Sequence, residues 1–224
     1  MVIMSSQDGE TRRAGHTRVA ILAAAERLFA ERGVMSVSNR QISDAAGQGN
    51  NTAVGYHFGT KHDLVRAIVR THEEPIEHLR AAAIEAMSDP TQIREWAHCL
   101  VGPLTAHLAS AGSPSWYARF LAQLIADPAL HETIADEALS SASLVAIVDG
   151  FNRCLPQLSA EVHVERSIMA RHLIVNMCAE HERALATRKA TPRASWDAAA
   201  TGLTDAIVGL YQAPVTALAP ITKV

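Results

Sequence analysis

The chain has 224 residues, 48% of them hydrophobic and only 4% aromatic, and a formal net charge of −3 at pH 7. This length and apolar content can build a buried core, in one large domain or two small ones, and exclude general disorder. The negative total excludes a nucleic-acid-binding surface spread over the whole molecule. The charge is unevenly placed, however. Residues 1–70 carry nine Lys/Arg against six Asp/Glu, and the remainder carries eleven against seventeen. A basic front and an acidic back fit a small DNA-binding unit joined to a domain with another task.

Alanine is abundant and no Val/Ile/Thr/Tyr alternation marks a strand, so the fold class is all-α, with about nine helices. Cys99, Cys154 and Cys178 are scattered and form no C-x-x-C, which reads as three reduced thiols in a cytoplasmic protein. The start, MVIMSSQDGE, lacks the apolar region of a signal peptide, and the run Val19–Ala25 is too short to cross a bilayer, so no membrane partner is expected.

In chain order, residues 1–16 read as a flexible arm, with Arg12 and Arg13, together with Arg18 just beyond it, able to reach a minor groove or a phosphate if not simply solvated. Thr17 to Arg32 is the first helix, apolar at Ile21, Leu22, Ala25, Leu28 and Phe29 and stopped by Gly33. Ser38 and Gln41 have capping-box spacing, so a second helix starts at Asn39 and turns Ile42, Ala45 and Ala46 to one side. Gly47 suits a left-handed helix end. Asn50, Asn51 and Thr52 open a third helix, with the small apolar Ala53 and Val54 behind them. This is a helix-turn-helix, whose second helix enters the DNA major groove by its N-terminal residues. Asn can bond adenine twice, and Thr can bond a base or touch a thymine methyl. The candidate DNA contacts are Ser38, Arg40, Gln48, Asn50, Asn51, Thr52, Tyr56, His57 and Lys61, the last three and Arg40 toward phosphates.

Over Ser38–Leu64 the chain resembles the DNA-binding domain of the Tet repressor (TetR) family of bacterial transcription regulators. That family shows an I-A-x-x-A-G helix and turn followed by Y-x-H-F-x-x-K-x-x-L. The matching residues are Ile42, Ala46, Gly47, His57, Phe58, Lys61 and Leu64. Gly55 stands where the family has its phosphate-binding tyrosine, with Tyr56 one place later, and Gly47 to Phe58 is one residue longer. The resemblance implies a DNA-binding domain over 17–64, an effector-binding and dimerisation domain over 65–213 and a loose tail over 214–224. It also implies a homodimer through the last two helices, on a near-palindromic double-stranded DNA operator. A small-molecule effector would release this repressor from the operator. A constitutive or activating regulator, or an all-α enzyme or carrier, remains an alternative.

Thr60 and Asp63 cap a fourth helix that runs to about Met87 and should kink at Pro75. Further helices span Thr91–Leu108, bent at Pro103, then Trp116–Ile125, Leu130–Leu155, Ala160–Arg188 and Trp196–Gln212. The eighth is apolar along two paths, Val164, Ile168 and Leu173 on one and Met169, Met177 and Leu185 on the other, as expected of a helix buried on two sides. Trp96, His107, Trp116, Tyr117, Phe120, Phe151, Met169, His172, Asn176 and Met177 mix apolar walls with a few polar groups. They are the candidate lining of an effector pocket, each of them also suited to core or dimer contact. The pairs Glu74/His78 and Cys178/His181 have helical ligand spacing but lack further ligands, so no metal or other cofactor is expected. No G-x-S-x-G, P-loop or H-E-x-x-H occurs, so no residue is assigned a catalytic role.

Overall fold

A computed structural model describes residues 4–50, 52–130 and 141–216, with side chains from residue 14 onward. Asn51, the 131–140 part of the expected seventh helix, the end of the tail and the side chains of Arg12 and Arg13 lie outside the described residues. All regular structure among the described residues is helical.

The first helix, α1 (Met4–Arg32), begins well before Thr17, so the expected arm is largely helical backbone. No proline interrupts residues 4–16 and no apolar stripe marks them, so periodicity could not announce this extension. Its anchored part buries Ile21, Ala25, Leu28 and Phe29. Gly33 ends it at φ +82, with its N–H donating to the Phe29 carbonyl at 2.9 Å. Helix α2 (Asn39–Ala45) opens with the expected capping box: the Gln41 N–H donates to Ser38 Oγ, and the Ser38 N–H donates to Gln41 Oε1 at 2.8 Å. Gly47, at φ +66, turns the chain toward α3 (Ala53–Phe58). Ile42, Val54 and Phe58 are buried between these helices and α1.

Helix α4 (Lys61–Glu85) has the second capping box, from Thr60 and Asp63, and continues through Pro75 as one element. The expected domain boundary after residue 64 therefore falls in the first turn of a helix that serves both units. Helices α5 (Ile93–Ser110), α6 (Tyr117–Ala126), α7 (Ala142–Cys154), α8 (Ala160–Ala186) and α9 (Trp196–Gln212) complete the body. The expected seventh helix is not one element: residues 128–130 are helical, and a separate helix, α7, starts at Ala142. Ser141 is its N-cap, in extended backbone, and accepts the Leu144 N–H.

Helix α5 is central, packed by α4, α7 and α9, while α8 packs on α6 and α9. The body reaches the front unit mainly where α1 lies on α6, with the Phe29 and Phe120 rings stacked at 6.1 Å. The buried side chains form one continuous core across both units. In α8 neither expected apolar path is the buried one. Ala170, Ile174, Val175, Cys178 and Ala179 face inward, while Val164, Ile168, Met169 and Met177 are 45–61% exposed. The inward face mixes Ile174 and Val175 with the small Ala170, Cys178 and Ala179, and small residues give a weak periodic signal.

Candidate functional site

Two places concentrate polar side chains with work beyond packing: the outer surface of α2–α3, and a cavity inside the body.

On the helix-turn-helix, several expected contacts also build the local fold. Ser38 is exposed but engaged in its capping box. Gln48 donates from Nε2 to the Ala46 carbonyl at 3.1 Å. Asn50 Oδ1 accepts from the Thr52 N–H at 2.9 Å and from Thr52 Oγ1 at 2.7 Å, which leaves the Asn50 amide protons available. Arg40 is exposed beside Asp44 at 3.9 Å, a loose surface pair. Tyr56 is 85% exposed, its ring edge-on to His57 at 5.1 Å. A Cβ added at Gly55 would meet nothing within 4 Å, so this face of α3 stands open. Lys61 is half-buried and donates from Nζ to the Val37 carbonyl at 2.7 Å and the Val34 carbonyl at 3.2 Å. It holds the α1–α2 turn and keeps one N–H for another acceptor. Arg18 lies 4.3 Å over the Phe58 ring and donates to the His57 carbonyl at 2.9 Å, fastening α1 to α3.

The cavity, about 390 Å3, opens between α4, α5, α6, α7, α8 and the end of α9. Its wall is mainly aliphatic, with Leu100, Leu104, Leu121, Ile147 and Ile174 among the lining residues. Of the ten residues expected to line it, Phe151 does so, stacked on Tyr211 at 4.2 Å. The others do not. Trp96 is core: its Nε1–H donates to the Pro90 carbonyl at 2.8 Å, and the indole lies so close to Gly150 that a Cβ there would sit 2.2 Å away. Trp116 stacks under the Arg119 guanidinium at 4.0 Å, and Phe120 packs on Phe29. Met169, His172, Asn176 and Met177 lie on the outward face of α8.

His107 and Tyr117 belong to a polar chain that runs from α1 to the cavity wall. His72 Nε2 is 3.0 Å from Glu26 on α1, and its Nδ1 is 2.8 Å from His107 Nε2. Glu26 can only accept when ionised, so a neutral His72 donates to it from Nε2 and accepts from His107. Burial, then the neighbouring His72, lowers the His107 pKa against the pull of Glu26. Tyr117, fully buried, stacks on His72 at 3.8 Å and donates to Glu73 at 3.3 Å. Burial, and then Glu73, hold its pKa well above the ordinary tyrosine value. Glu73 and Arg80 both line the cavity, 3.5 Å apart. Arg80 also donates to Glu77 at 2.9 Å and to Ser141 and Ser143 at 3.2 Å. Burial raises the Glu77 carboxyl, but hydrogen bonds from Ser141 and Ser143 and the Arg80 charge outweigh it and keep the pKa low.

Arg80, Ser167, Arg171 and Tyr211, which with Glu73 and Asp149 form the polar part of the wall, carry no sequence signal, because a lone charge or hydroxyl on a helix reads as solvated. The two metal-like pairs gain no further ligand: among the described residues no group of three or more His, Cys, Asp or Glu could hold an ion. Cys99 and Cys178 are buried thiols, pushed up to about 11 and about 12 by burial and then by Glu95 and Glu182 respectively. Among the described residues no helix is long and apolar enough to cross a membrane.

The architecture is thus a helix-turn-helix unit fixed by a shared helix to an all-helical body that contains a cavity. Residues 21–68 match the model of the bacterial regulatory proteins of the tetR family. The HTH-type transcriptional regulator TtgR of Pseudomonas putida is 38% identical over 78 residues, 34% of this chain. That match spans 37% of TtgR's own length. Among solved structures, a protein of Shewanella sp. PV-4 assigned to the tetR family superposes with a TM-score of 0.59 at 15% identity, over 87% of this chain and 95% of that one. The multidrug binding protein EbrR, complexed with imidazole, gives 0.50 at 22% identity, over 89% and 92%. The likeness to the tetR family is thus carried in sequence by residues 21–68, and that of the body by the fold.

Proposed function

We propose that this chain is a DNA-binding transcriptional repressor, working in the cytoplasm as a homodimer and released from a near-palindromic operator by a small molecule. The observation that carries this reading is the polar chain from Glu26 to Arg80, which connects a helix of the reading unit to the wall of a largely aliphatic cavity. A ligand that shifts Glu73 or Arg80 acts on α4, and α4 carries the capping residues that follow α3, so the two readers of a dimer change their separation. EbrR, of the same fold, is described as multidrug-binding, which agrees with an effector in the body. The exposed apolar residues of α8, Val164, Ile168, Met169 and Met177, together with the small exposed Ala206 and Gly209 of α9, fit a self-complementary interface. Arg40, Asn50, Thr52 and Tyr56 are the exposed groups that would meet DNA; Lys61 and Arg18 act mainly by holding the unit together.

Fluorescence anisotropy with the DNA flanking its own gene tests the reading. The expected result is sequence-specific, salt-sensitive binding, with Arg40→Ala weakening every sequence alike and Asn50→Ala relaxing preference at one base pair. Binding that ignores sequence would sink it.

A further inference from the structure

We propose that the cavity takes an aliphatic molecule bearing one carboxylate, its head held by Arg171 and by the Ser167–Tyr211 hydroxyl pair. This rests on the reading of the cavity as an effector site and narrows it to a ligand class.

The two arginines of the wall differ in what they already hold. Arg80 is already engaged through its terminal nitrogens, with Glu77 at 2.9 Å, Glu73 at 3.5 Å and two serine hydroxyls, and only its Nε lacks a partner. Arg171, from α8, makes no ion pair or hydrogen bond among the described residues, and its Nε is shut off from solvent without a partner. Burial alone acts on its basicity, and no carboxylate offsets that. Asp149 also borders the cavity, but it sits on the exposed side of α7 and does not pair with Arg171. A half-buried guanidinium with nothing to bond is costly, and an incoming anion removes the cost.

The neighbours of Arg171 define the head group. Ser167 lies one turn before it on α8, on the same face. Ser167 Oγ and Tyr211 Oη are 2.9 Å apart and both residues line the cavity. Two hydroxyls bonded to each other use one proton, and the second O–H remains free to donate. Burial keeps the Tyr211 phenol protonated, since it raises the pKa more than Ser167 and Arg166 lower it. One planar guanidinium and one hydroxyl match a single carboxylate, which accepts two parallel N–H bonds and one more. The opposite wall offers only alkyl groups, from Leu100, Leu104, Leu121 and Ile125, so the remainder of the ligand is hydrocarbon, and about 390 Å3 is within the range of small-molecule pockets.

The test is calorimetric titration of the full chain, without DNA, with decanoate, decanol and decylamine below their micellar concentrations. Decanoate should bind at least about tenfold more tightly than decanol, and decylamine most weakly. Arg171→Gln should erase the preference for decanoate over decanol while keeping decanol binding, Arg171→Lys should retain part of it, and Ser167→Ala should reduce it. If Arg171→Gln does not fold, the Arg171→Lys and Ser167→Ala series decides. Equal binding of acid and alcohol, or a preference that survives these changes, overturns the carboxylate and leaves a cavity for neutral molecules. No heat and no thermal stabilisation with any of the three probes overturns the effector cavity as well.

Discussion

The reading unit and the body use their polar side chains over different distances. In α2, α3 and the start of α4 the helix caps and turns are local, Ser38 with Gln41, Asn50 with Thr52 and Thr60 with Asp63, while Lys61 and Arg18 tie the unit to α1 and its turn from its edge. The body keeps local serine caps on α7, α8 and α9 and adds buried bonds that cross the chain. Glu182, on α8, is 2% exposed and closes the start of α6: it accepts from Ser115 Oγ at 2.8 Å, from the Ala118 N–H at 3.3 Å, from the Arg119 N–H at 3.0 Å and from Arg119 Nε at 2.9 Å. Arg166 does the same for the end of α9 through the carbonyls of Tyr211 and Ala213. Local caps let a short segment hold its shape and keep its outer groups ready for a partner. Long-range caps make the body one cooperative unit around its cavity, so a change in one wall is felt in another.

The largest break in this comparison is Glu182→Ala. It leaves the largely buried Arg119 without its counter-ion, bonded only to the Ser115 carbonyl, and the first N–H groups of α6 uncapped, and should cost about 3–5 kcal/mol, read as a lower urea midpoint with the slope unchanged. A loss below about 1 kcal/mol would mean that α6 is held by packing alone. The matching change in the reading unit, Ser38→Ala, removes one half of a capping box and should cost about 1 kcal/mol. If it costs as much as Glu182→Ala, the distinction between local and long-range caps fails.

The smallest effect is on pH dependence near neutrality, and the histidines that carry it lie in the body. Burial, and then His72, hold His107 below the ordinary value of 6.5, and burial does the same to His181. The unfolded chain therefore takes up more protons on acidification, so their contribution to stability is complete above about pH 6.5 and is lost as pH falls through the depressed values. Melting temperature followed from pH 8 to 5 should decline over the acid half, and His107→Gln should flatten part of that decline. A curve unchanged by His107→Gln would show that this pair does not report on folding.

Much of the architecture was legible before the structure. The ends of α2, α4 and α9 follow the sequence closely, because caps, glycine stops and 3.6-residue periodicity act within a turn or two of the chain. Helix α1 and the start of α7 were misplaced for the converse reason: an exposed helix carries no stripe, and Ser141 is one serine among several.

The candidate cavity was hardly legible. Met169, His172, Asn176 and Met177 share a face of α8, as their spacing requires, but that face points outward. Spacing determines which residues lie together on a helix; what packs against the helix determines which side is inside. The helix-turn-helix and the all-α class were thus set by the sequence itself, through bonds a few residues long. The cavity, its unpaired Arg171 and the chain from Glu26 to Arg80 were decided only by tertiary structure. A cavity is a gap left by packing, and its polar partners come from distant parts of the chain, 46 positions apart in the case of Glu26 and His72.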